Sequence, residues 1–387
     1  MSPHARDAVD ILRDLIGFDT VSRNSNMELI RYVAERLSEV GVDSEIIGDG
    51  TGGKANLFAT VGGPAGVPGI VLSGHTDVVP VDGQDWHTDP FDMTERDGRL
   101  YGRGTSDMKG FIAICLALAP DIARARLREP IHFAFSYDEE VGCRGVGSMI
   151  AKISGRRPLP RACIVGEPTS MRAVASHKGI RAFETAIKGR EAHSSNTEFG
   201  VSAILAAGRL IAFLDGILDE MRARGDDTGR FDPPYTSLNV GTIRGGAAIN
   251  ITPSDCRFVW EYRSLPQADE NEIIDRFEAR SREIEAEMRT RFDGAFVRTT
   301  QISRSPALLR QANSPAEELV LALTGQNETL TAAYTTEAGL FQQAEIPSVV
   351  CGPGSIEQAH RPDEFIELSQ MEEGAAFVAK LVKALAA

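Results

Sequence analysis

The chain has 387 residues, of which 42% are hydrophobic and 25% are charged, and its formal net charge is −14 at pH 7. The length allows two or three domains, and the acidic balance argues against nucleic acid and anionic membranes as partners, because both require clustered Lys and Arg. No stretch has the ~18 uninterrupted apolar residues of a membrane span, and the N-terminus lacks an apolar leader. The five scattered cysteines do not indicate a disulfide framework. We therefore expect a cytoplasmic globular protein.

Helices and strands alternate along the first part of the chain. Apolar residues at helical spacing predict helices over residues 8–18 and 27–40, and a further helix begins within 109–118. Apolar runs predict strands over residues 42–47, 57–61, 70–73, 131–137 and 162–165. This alternation is typical of an α/β domain with a mostly parallel sheet.

Candidate functional residues follow three of these strands. His75 comes after the strand 70–73, Glu139 and Glu140 come after 131–137, and Glu167 comes after 162–165. Ligands of open α/β sheets bind at the carboxyl ends of the strands. We therefore expect these side chains to lie on one edge of the same sheet.

A different order of elements begins after residue 178. It consists of a strand over 180–188, a helix over 202–222, strands over 237–243 and 255–262, a helix over 269–288 and a strand over 295–302. The order β-α-β-β-α-β is that of a ferredoxin-like fold. A helix over 315–323, a strand over 348–350 and a helix over 372–385 then return to the first domain. We predict a catalytic domain of residues 1–178 and 304–387, and an inserted domain of residues 179–303.

The segment His75-Thr76-Asp77 has the spacing of a metal ligand and its supporting acid. Residues i and i+2 of an extended segment point to the same side, so Asp77 can accept a hydrogen bond from the His75 ring and fix its tautomer. Asp107 lies on a glycine-flanked loop, and His360 lies near the C-terminus. Two histidines and several carboxylates suit zinc, with cobalt or manganese as substitutes. Two metals need a bridging carboxylate, a role that suits Asp107.

Six segments, in this order, resemble the co-catalytic zinc amidohydrolases and peptidases. They are Ser73-Gly74-His75-Thr76-Asp77, Gly102-Arg103-Gly104 with Asp107-Met108-Lys109-Gly110, Asp138-Glu139-Glu140-Val141-Gly142, Gly166-Glu167-Pro168-Thr169, Ala192-His193-Ser194-Ser195 and Ala359-His360. The resemblance covers nearly the whole chain, and no ligand position is missing. It implies a zinc-peptidase-like α/β catalytic domain with a mixed, mostly parallel sheet, and an inserted ferredoxin-like domain that acts as lid and dimerisation domain.

The resemblance also implies how the metals are held. Two zinc ions would be bridged by Asp107, one completed by His75 and Glu167 and the other by Glu140 and His360. In the same family, Asp77 would support His75, and Glu139 would be the general base that takes a proton from the attacking water. Carboxylates suffice for such proton transfer when metals activate the water.

In the inserted domain, His193, Asn250 and Arg263 match family positions that stabilise the oxyanion and hold the substrate's α-carboxylate. The resemblance implies a homodimer formed through this domain, in which His193 reaches the active site of the opposite subunit. The alternative is a monomer whose His193 serves its own site or none.

The segments 336–338 and 352–364 resemble most the acetylornithine deacetylase branch of the family. This implies a small N-acyl amino acid as substrate, with hydrolysis of N2-acetyl-L-ornithine, a step of arginine biosynthesis. Glu337 could then pair with the substrate's side-chain ammonium, or form a structural salt bridge instead.

Other interpretations remain open at this point. A succinyl-diaminopimelate desuccinylase, a carboxypeptidase or another N-acyl amino acid amidohydrolase would share these motifs, and a non-catalytic homologue would be expected to lack the base or a ligand. A nucleotide-binding α/β protein would need a phosphate-cradling glycine pattern after the first strand, which is absent. Locally, Asp107 could cap a helix, Glu139 and Glu140 could form a solvated turn, and Cys143 and Trp86 could simply pack. No partner is evident for His87, His132 and His177.

Overall fold

The computed structural model describes residues 1–387 and contains two compact units. The first comprises Met1–Ser176, Leu308–Thr331 and Thr336–Ala387, and the second comprises His177–Ala307 and Ala332–Thr335. The boundaries predicted at 178/179 and 303/304 lie within a few residues of these. No helix is both long and apolar enough to span a bilayer.

Fifteen strands and nine α-helices follow one another along the chain. Up to residue 177 they are α1 (Pro3–Ile16), α2 (Met27–Glu39), β1 (Ser44–Gly48), β2 (Ala55–Thr60), β3 (Ile70–His75), β4 (Thr94–Arg96), β5 (Arg99–Tyr101), α3 (Gly110–Arg124), β6 (Ile131–Ser136), α4 (Val146–Ser154), β7 (Ala162–Pro168) and β8 (Val174–His177). The remaining elements are β9 (Gly179–Lys188), α5 (Ala203–Arg224), β10 (Ser237–Gly245), β11 (Asp255–Ser264), α6 (Glu272–Arg289), β12 (Phe296–Ser305), α7 (Pro315–Thr324), β13 (Leu330–Ala332), α8 (Ala338–Gln343), β14 (Ser348–Gly352), β15 (Phe365–Glu367) and α9 (Leu368–Leu385).

The main sheet has eight strands in the order β1-β2-β6-β3-β7-β14-β8-β13. Its four central strands, β6, β3, β7 and β14, are parallel to one another. The strands β1 and β2 are antiparallel to their neighbours on one side, and β8 is antiparallel to β14 on the other. The prediction of an α/β domain with a mixed sheet is therefore confirmed.

The central strands are apolar because both of their faces are covered. Every residue of β3 and β7 is buried, which is the usual condition of parallel strands between two layers of helices. The helix α3 is apolar along almost its whole length and packs against α1 and α9. This packing fixes the carboxyl ends of β3, β6 and β7 side by side at one edge of the sheet.

The second unit contains an antiparallel sheet in the order β10-β11-β9-β12 and the two helices α5 and α6. With the elements in the sequence order β-α-β-β-α-β, this is the predicted ferredoxin-like arrangement. Its core is aromatic: the Trp260 ring centroid lies 4.7 Å from that of Phe183 and 4.4 Å from that of Phe277. The indole N–H of Trp260 donates to the Thr185 hydroxyl at 3.0 Å, so the one polar atom of the ring is satisfied.

A small third sheet, in the order β15-β5-β4, was not predicted from the sequence. Strands of three residues carry too few positions for a period of two to be recognised. The sheet pairs Phe365 with Tyr101, and it thereby holds the loop after β5 beside the loop before β15.

Candidate metal centre

Asp107 lies at the centre of the cluster of predicted metal ligands. Its Oδ1 is 3.0 Å from Nε2 of His75, and its Oδ2 is 3.3 Å from Nε2 of His360. Each carboxylate oxygen therefore faces a different imidazole. This is the arrangement that a carboxylate shared by two metal ions requires.

Each histidine has one further carboxylate beside it. Glu167 Oε1 is 3.7 Å from His75 Nε2, and Glu140 Oε2 is 3.0 Å from His360 Nε2. Two donor sets result, each with one imidazole, one glutamate and one oxygen of Asp107. The structure thus brings together all five side chains that the sequence predicted as ligands.

The backbone positions these ligands on different elements. His75 is the last residue of β3, Glu140 follows β6, and Glu167 is the penultimate residue of β7. Asp107 lies in the irregular turn before α3, where the Asp107–Met108 peptide bond is cis. The helix α3 begins at Gly110 with no side-chain cap, so Asp107 is not a helix cap.

The charges of the cluster fit divalent cations. Burial raises the pKa of Glu139 to about 8 and that of Glu140 to about 7, and it raises the pKa of Glu167 well above the usual range of a carboxyl. Hydrogen bonds to Asp107 and Glu140 raise the pKa of His360 to about 11. Burial and the neighbouring carboxylates thus disfavour the ionised forms of these glutamates, and a bound divalent cation would stabilise them. The four carboxylates of the cluster balance the charge of two divalent ions, and a mixed imidazole and carboxylate donor set suits zinc.

Glu139 also belongs to this cluster, but the carboxylates closest to the two histidines are those of Asp107 and Glu140. The Glu139 carboxylate lies within 4.8 Å of the ligand atoms of His75 and Glu167, and its Oε1 accepts a hydrogen bond from the Cys143 thiol at 3.2 Å. Glu139 and Glu140 therefore do not form a solvated turn. Cys143 does more than pack, because its thiol is directed at the predicted base.

Asp77 supports the site differently from the prediction. The hydrogen-bond partner of His75 Nδ1 is the main-chain carbonyl of Asp77 at 2.9 Å, whereas the Asp77 carboxylate lies 3.7 Å from that nitrogen. The carboxylate accepts instead from the main-chain N–H groups of Glu139 at 3.1 Å and Glu140 at 3.3 Å, and from the Ser22 hydroxyl at 2.7 Å. Asp77 therefore orients both glutamates, while its carbonyl sets the tautomer of His75.

Glu337 is buried in the sheet edge, with 1% of its surface exposed. Its carboxylate accepts hydrogen bonds from the hydroxyls of Ser136 and Ser73, and burial raises its pKa to about 7. Its hydrogen-bond partners are hydroxyls, so the predicted alternative of a salt bridge is not what holds it. The contact between Glu337 and a substrate ammonium stays a prediction.

The other three predicted site residues belong to the second unit. His193 and Asn250 are exposed on adjacent loops, which the main-chain hydrogen bond from Ser194 N to Asn250 O joins at 3.0 Å. Arg263 is half-buried near the end of β11, with its Nε 3.2 Å from the Glu261 carboxylate. Within this unit the structure therefore groups His193 with Asn250, but not with Arg263.

Several residues near the site were not predicted from the sequence. Lys109 is buried, and its ammonium donates to the carbonyls of Leu15 at 3.0 Å and Phe18 at 2.9 Å, so it ties the end of α1 to the Asp107 turn. Glu364 and Arg103 form a buried ion pair at 2.7 Å. Two weak signals in the sequence point to these residues: Lys109 lies within a glycine-rich motif, and Glu364 comes four residues after the predicted ligand His360.

The residues for which no role or partner was assigned also have neighbours. His87 pairs with Asp363, the ring of His132 stacks on Phe58 with 5.4 Å between centroids, and His177 Nδ1 is 2.9 Å from the Lys178 carbonyl. Trp86 donates to Gln84 at 3.0 Å and covers the Arg103 guanidinium at 5.1 Å from its ring centroid. Trp86 thus packs on Arg103, and a shielding role for it stays a prediction.

Comparison with known proteins agrees with this geometry. Residues 71–384 match the peptidase family M20/M25/M40. The chain is 34% identical to an acetylornithine deacetylase of Proteus mirabilis, over 97% of this chain and 96% of that protein, and 35% identical to one of Myxococcus xanthus, over 96% and 95%. The fold is similar to that of an M20 family metallo-carboxypeptidase from Sulfolobus solfataricus, with a TM-score of 0.76 and 18% identity over 97% of this chain and 98% of that one.

Proposed function

This chain belongs to peptidase family M20/M25/M40 and is a metal-dependent amidohydrolase, and we propose that it hydrolyses N2-acetyl-L-ornithine to L-ornithine and acetate with two zinc ions. The observation that carries the two-metal part is the Asp107 carboxylate, whose two oxygens face His75 and His360 separately. The substrate part rests on the similarity to acetylornithine deacetylases over nearly the whole chain.

The proposed ligands of one zinc are His75, Asp107 and Glu167, and those of the other are Asp107, Glu140 and His360. When bound, the two ions lower the pKa of a coordinated water towards ~7 and polarise the amide carbonyl as Lewis acids. Cobalt or manganese would be accepted by the same donor set. The chain's own task is to keep five ligands oriented, and Asp77 contributes by holding the main chain of Glu139 and Glu140.

Glu139 is the proposed general base. It takes a proton from the attacking water and delivers that proton to the amide nitrogen as the C–N bond breaks. The second proton of the water leaves the new carboxyl group and is taken up by the released amine, so the products are acetate and an ammonium group. The Glu139 carboxylate is not the nearest partner of either histidine, which leaves it available for proton transfer.

The substrate proposal is tested by a panel of N-acyl amino acids on the zinc-loaded protein. Acetylornithine is expected to give the highest kcat/KM, above acetylleucine, acetylglutamate and succinyl-diaminopimelate. Release of the free amine is measured for each compound at equal enzyme concentration. A higher kcat/KM for succinyl-diaminopimelate would assign the chain to the desuccinylases, and a higher value for peptides to the carboxypeptidases, in both cases with the same metal centre.

Glu337→Gln tests whether Glu337 determines side-chain specificity. If Glu337 pairs with the substrate ammonium, the ratio of kcat/KM for acetylornithine to that for acetylleucine should fall by about tenfold or more, since a charged hydrogen bond is worth ~1.5–3 kcal/mol. The matched control is Glu345→Gln, an exposed acid just beyond α8. An unchanged ratio in the folded variant would leave Glu337 with only its hydrogen bonds to Ser73 and Ser136.

We also propose a homodimer formed through the second unit. Sheet register supports this, because His193 and Asn250 lie beyond the end of the sheet where Lys188 pairs with Asp255, whereas Arg263 pairs with Ile180 at the other end. The eight steps from Asp255 to Arg263 correspond to roughly 27 Å of antiparallel strand. This unit therefore cannot present all three predicted residues to one substrate, but two copies could each supply part of a site.

The surface of the second unit has further features of an interface. The strand β10 lies at the edge of its sheet and exposes most of its side chains. Phe199 is 63% exposed, Leu205 71% and Ile243 51%, an unusual amount of exposed apolar surface for one small unit. Both the free edge and the apolar side chains would be covered by two-fold pairing.

Complementation tests the shared site. His193→Ala chains and Glu139→Ala chains, each expected to be inactive alone, are mixed after reversible dissociation. Random pairing makes about half of the dimers mixed, each with one intact site, so about a quarter of wild-type activity should return if His193 acts across the interface. A mixture that stays inactive, while a wild-type mixture treated in the same way recovers, would show that His193 acts within its own chain or has no catalytic role.

The proposed biological setting is arginine biosynthesis in the cytoplasm. The reaction with acetylornithine releases ornithine, a precursor of arginine. All five cysteines are unpaired and buried, which is compatible with a reducing compartment.

A further inference from the structure

Two of the five ligands, Asp107 and His360, lie on loops that the Glu364 carboxylate joins. Its Oε1 accepts hydrogen bonds from the main-chain N–H groups of Ser106 at 2.9 Å and Asp107 at 3.0 Å. Its Oε2 accepts from the N–H of Gly104 at 3.0 Å and from Nη1 of Arg103 at 2.7 Å. Glu364 is 1% exposed. It thus gathers three main-chain donors of the loop that carries Asp107, including the amide of Asp107 itself.

The same two loops touch at other points. The Ser106 hydroxyl donates to the Ser355 carbonyl at 3.2 Å and accepts from the Ser355 N–H at 3.1 Å. The N–H of Gly102 donates to the Glu364 carbonyl at 2.9 Å. These contacts surround Glu364 on both sides, so the carboxylate is the buried centre of the junction between the loops.

His360 depends on this junction more than the other ligands do. It lies four residues before Glu364 in a left-handed conformation with φ of 64°, and 56% of its side chain is exposed. Its carbonyl accepts from the Gln84 amide at 2.9 Å, and the Gln84 oxygen in turn accepts from Arg103. Arg103 therefore links Glu364 to the support of His360, since it contacts both.

We propose that Glu364 is a positioning residue that fixes Asp107 and His360 relative to each other before metal binds. Asp107 must present one oxygen to each metal, and its orientation is set by a loop with no regular secondary structure. A single buried carboxylate that holds the amides of residues 104, 106 and 107 removes the freedom of that loop. The inference rests on the proposed two-metal centre, but not on the proposed substrate.

The four donors explain why the residue must be a carboxylate. Two oxygens with two lone pairs each accept all four hydrogen bonds, and the negative charge offsets that of Arg103. A glutamine would offer one acceptor oxygen and would direct its NH₂ group at two of the donors. Glu364→Gln is therefore nearly isosteric, but should release the loop that carries Asp107.

Zinc affinity provides the test. Zinc alone is titrated into metal-free wild-type, Glu364→Gln and Glu357→Gln proteins in competition with a chromophoric chelator, and the unfolding temperature of each metal-free protein is recorded. Glu357 is an exposed acid on the same loop, so it controls for the loss of one negative charge near His360. We expect Glu364→Gln to weaken zinc binding by about 10- to 100-fold, the usual effect of removing a group that orients a ligand, and Glu357→Gln to bind as the wild type does.

Cobalt absorption adds a second readout. The visible spectrum of the cobalt-loaded protein reports coordination geometry, and we expect it to change in Glu364→Gln but not in Glu357→Gln. A purely structural role would lower the unfolding temperature and leave both the zinc affinity and the cobalt spectrum of the folded protein unchanged. Folded Glu364→Gln protein that binds two zinc ions with wild-type affinity overturns the proposal.

Hydrogen exchange of the wild type decides the case in which Glu364→Gln does not fold. If Glu364 orders the loop before metal binds, the amides of residues 104–107 should be equally protected in metal-free and zinc-loaded protein. Protection that develops only with zinc would show that the metal orders the loop, and would overturn the proposal. Wild-type protein that fails to bind two zinc ions would overturn the metal centre itself, which is a result distinct from unchanged affinity in the variant.

Discussion

Removal of the bound divalent metal is expected to abolish hydrolysis of acetylornithine, by about 10³-fold or more, and addition of zinc or cobalt is expected to restore it. The reason is that no side chain of the site can replace a metal in activating water, whose pKa falls from ~15.7 in bulk to ~7 on a metal. Activity and metal content are measured on the same samples, before and after chelation and after reconstitution. Full activity at a metal content far below one ion per chain would rule out the proposed chemistry.

A substitution of the bridging acid tests the same point without a chelator. Asp107→Asn removes the charge that faces both His75 and His360, so both metal content and activity should fall. Asp97→Asn is the matched control, because Asp97 is exposed in the turn between β4 and β5 with φ of 53°, a conformation that asparagine tolerates. Loss of metal in both variants would point to general damage rather than to loss of a ligand.

The regular part of this fold could be predicted because its strands are buried on both faces. A strand such as β3 consists mainly of apolar and small residues, and its end is marked by the histidine at position 75. The repeated pattern of a buried strand followed by a histidine or an acid therefore indicated both the sheet and the edge at which the site lies. The second unit was recognisable for a related reason, since its strands and helices are long enough to show their periods.

The ligands could be predicted as a set, but their supports could not. Asp77 illustrates the limit: the spacing to His75 suggested a contact between carboxylate and ring, whereas the chain turns so that the carbonyl makes this contact. The freed carboxylate then accepts from the amides of Glu139 and Glu140, which lie more than sixty residues away in sequence. Such a contact follows from strand order, and nothing in the local sequence encodes it.

Glu364 and Lys109 extend this limit to buried charges. A sequence suggests that Glu and Lys are exposed, because burying them is costly unless they are paired. Here Glu364 finds main-chain donors beside Asp107, and Lys109 finds two main-chain carbonyls at the end of α1. Apart from the Arg103 side chain, which pairs with Glu364, these partners are main-chain atoms. Every residue possesses such atoms, so the local sequence does not indicate these contacts.

The adjacent glutamates Glu139 and Glu140 lie at different positions in the cluster and have different proposed roles. Glu140 lies 3.0 Å from the His360 ring, and this contact supports its proposed role as a metal ligand. Glu139 lies within 4.8 Å of the ligand atoms of His75 and Glu167, a separation that a ligand or a base could both have. Conversion of each to glutamine separates these roles, since an amide keeps the shape of the side chain but neither carries charge to a metal nor accepts the proton.

Glu139→Gln is expected to lower kcat by about 10²- to 10⁴-fold, the usual contribution of a positioned general base, while zinc content stays near two ions per chain. Glu140→Gln, the matched variant one residue away, is expected to lose zinc together with activity. Turnover and metal content are measured in parallel on both proteins.

Two outcomes would contradict these roles. If Glu139→Gln loses zinc and Glu140→Gln retains it, the roles of the two glutamates are interchanged. If Glu139→Gln keeps wild-type kcat, the base is another group. The expected separation of turnover from metal content follows from the structure, because Asp77 accepts a hydrogen bond from the main-chain N–H of Glu139 and the Cys143 thiol donates to the Glu139 carboxylate. Both contacts hold Glu139 in place, so the substitution changes proton transfer without releasing a ligand.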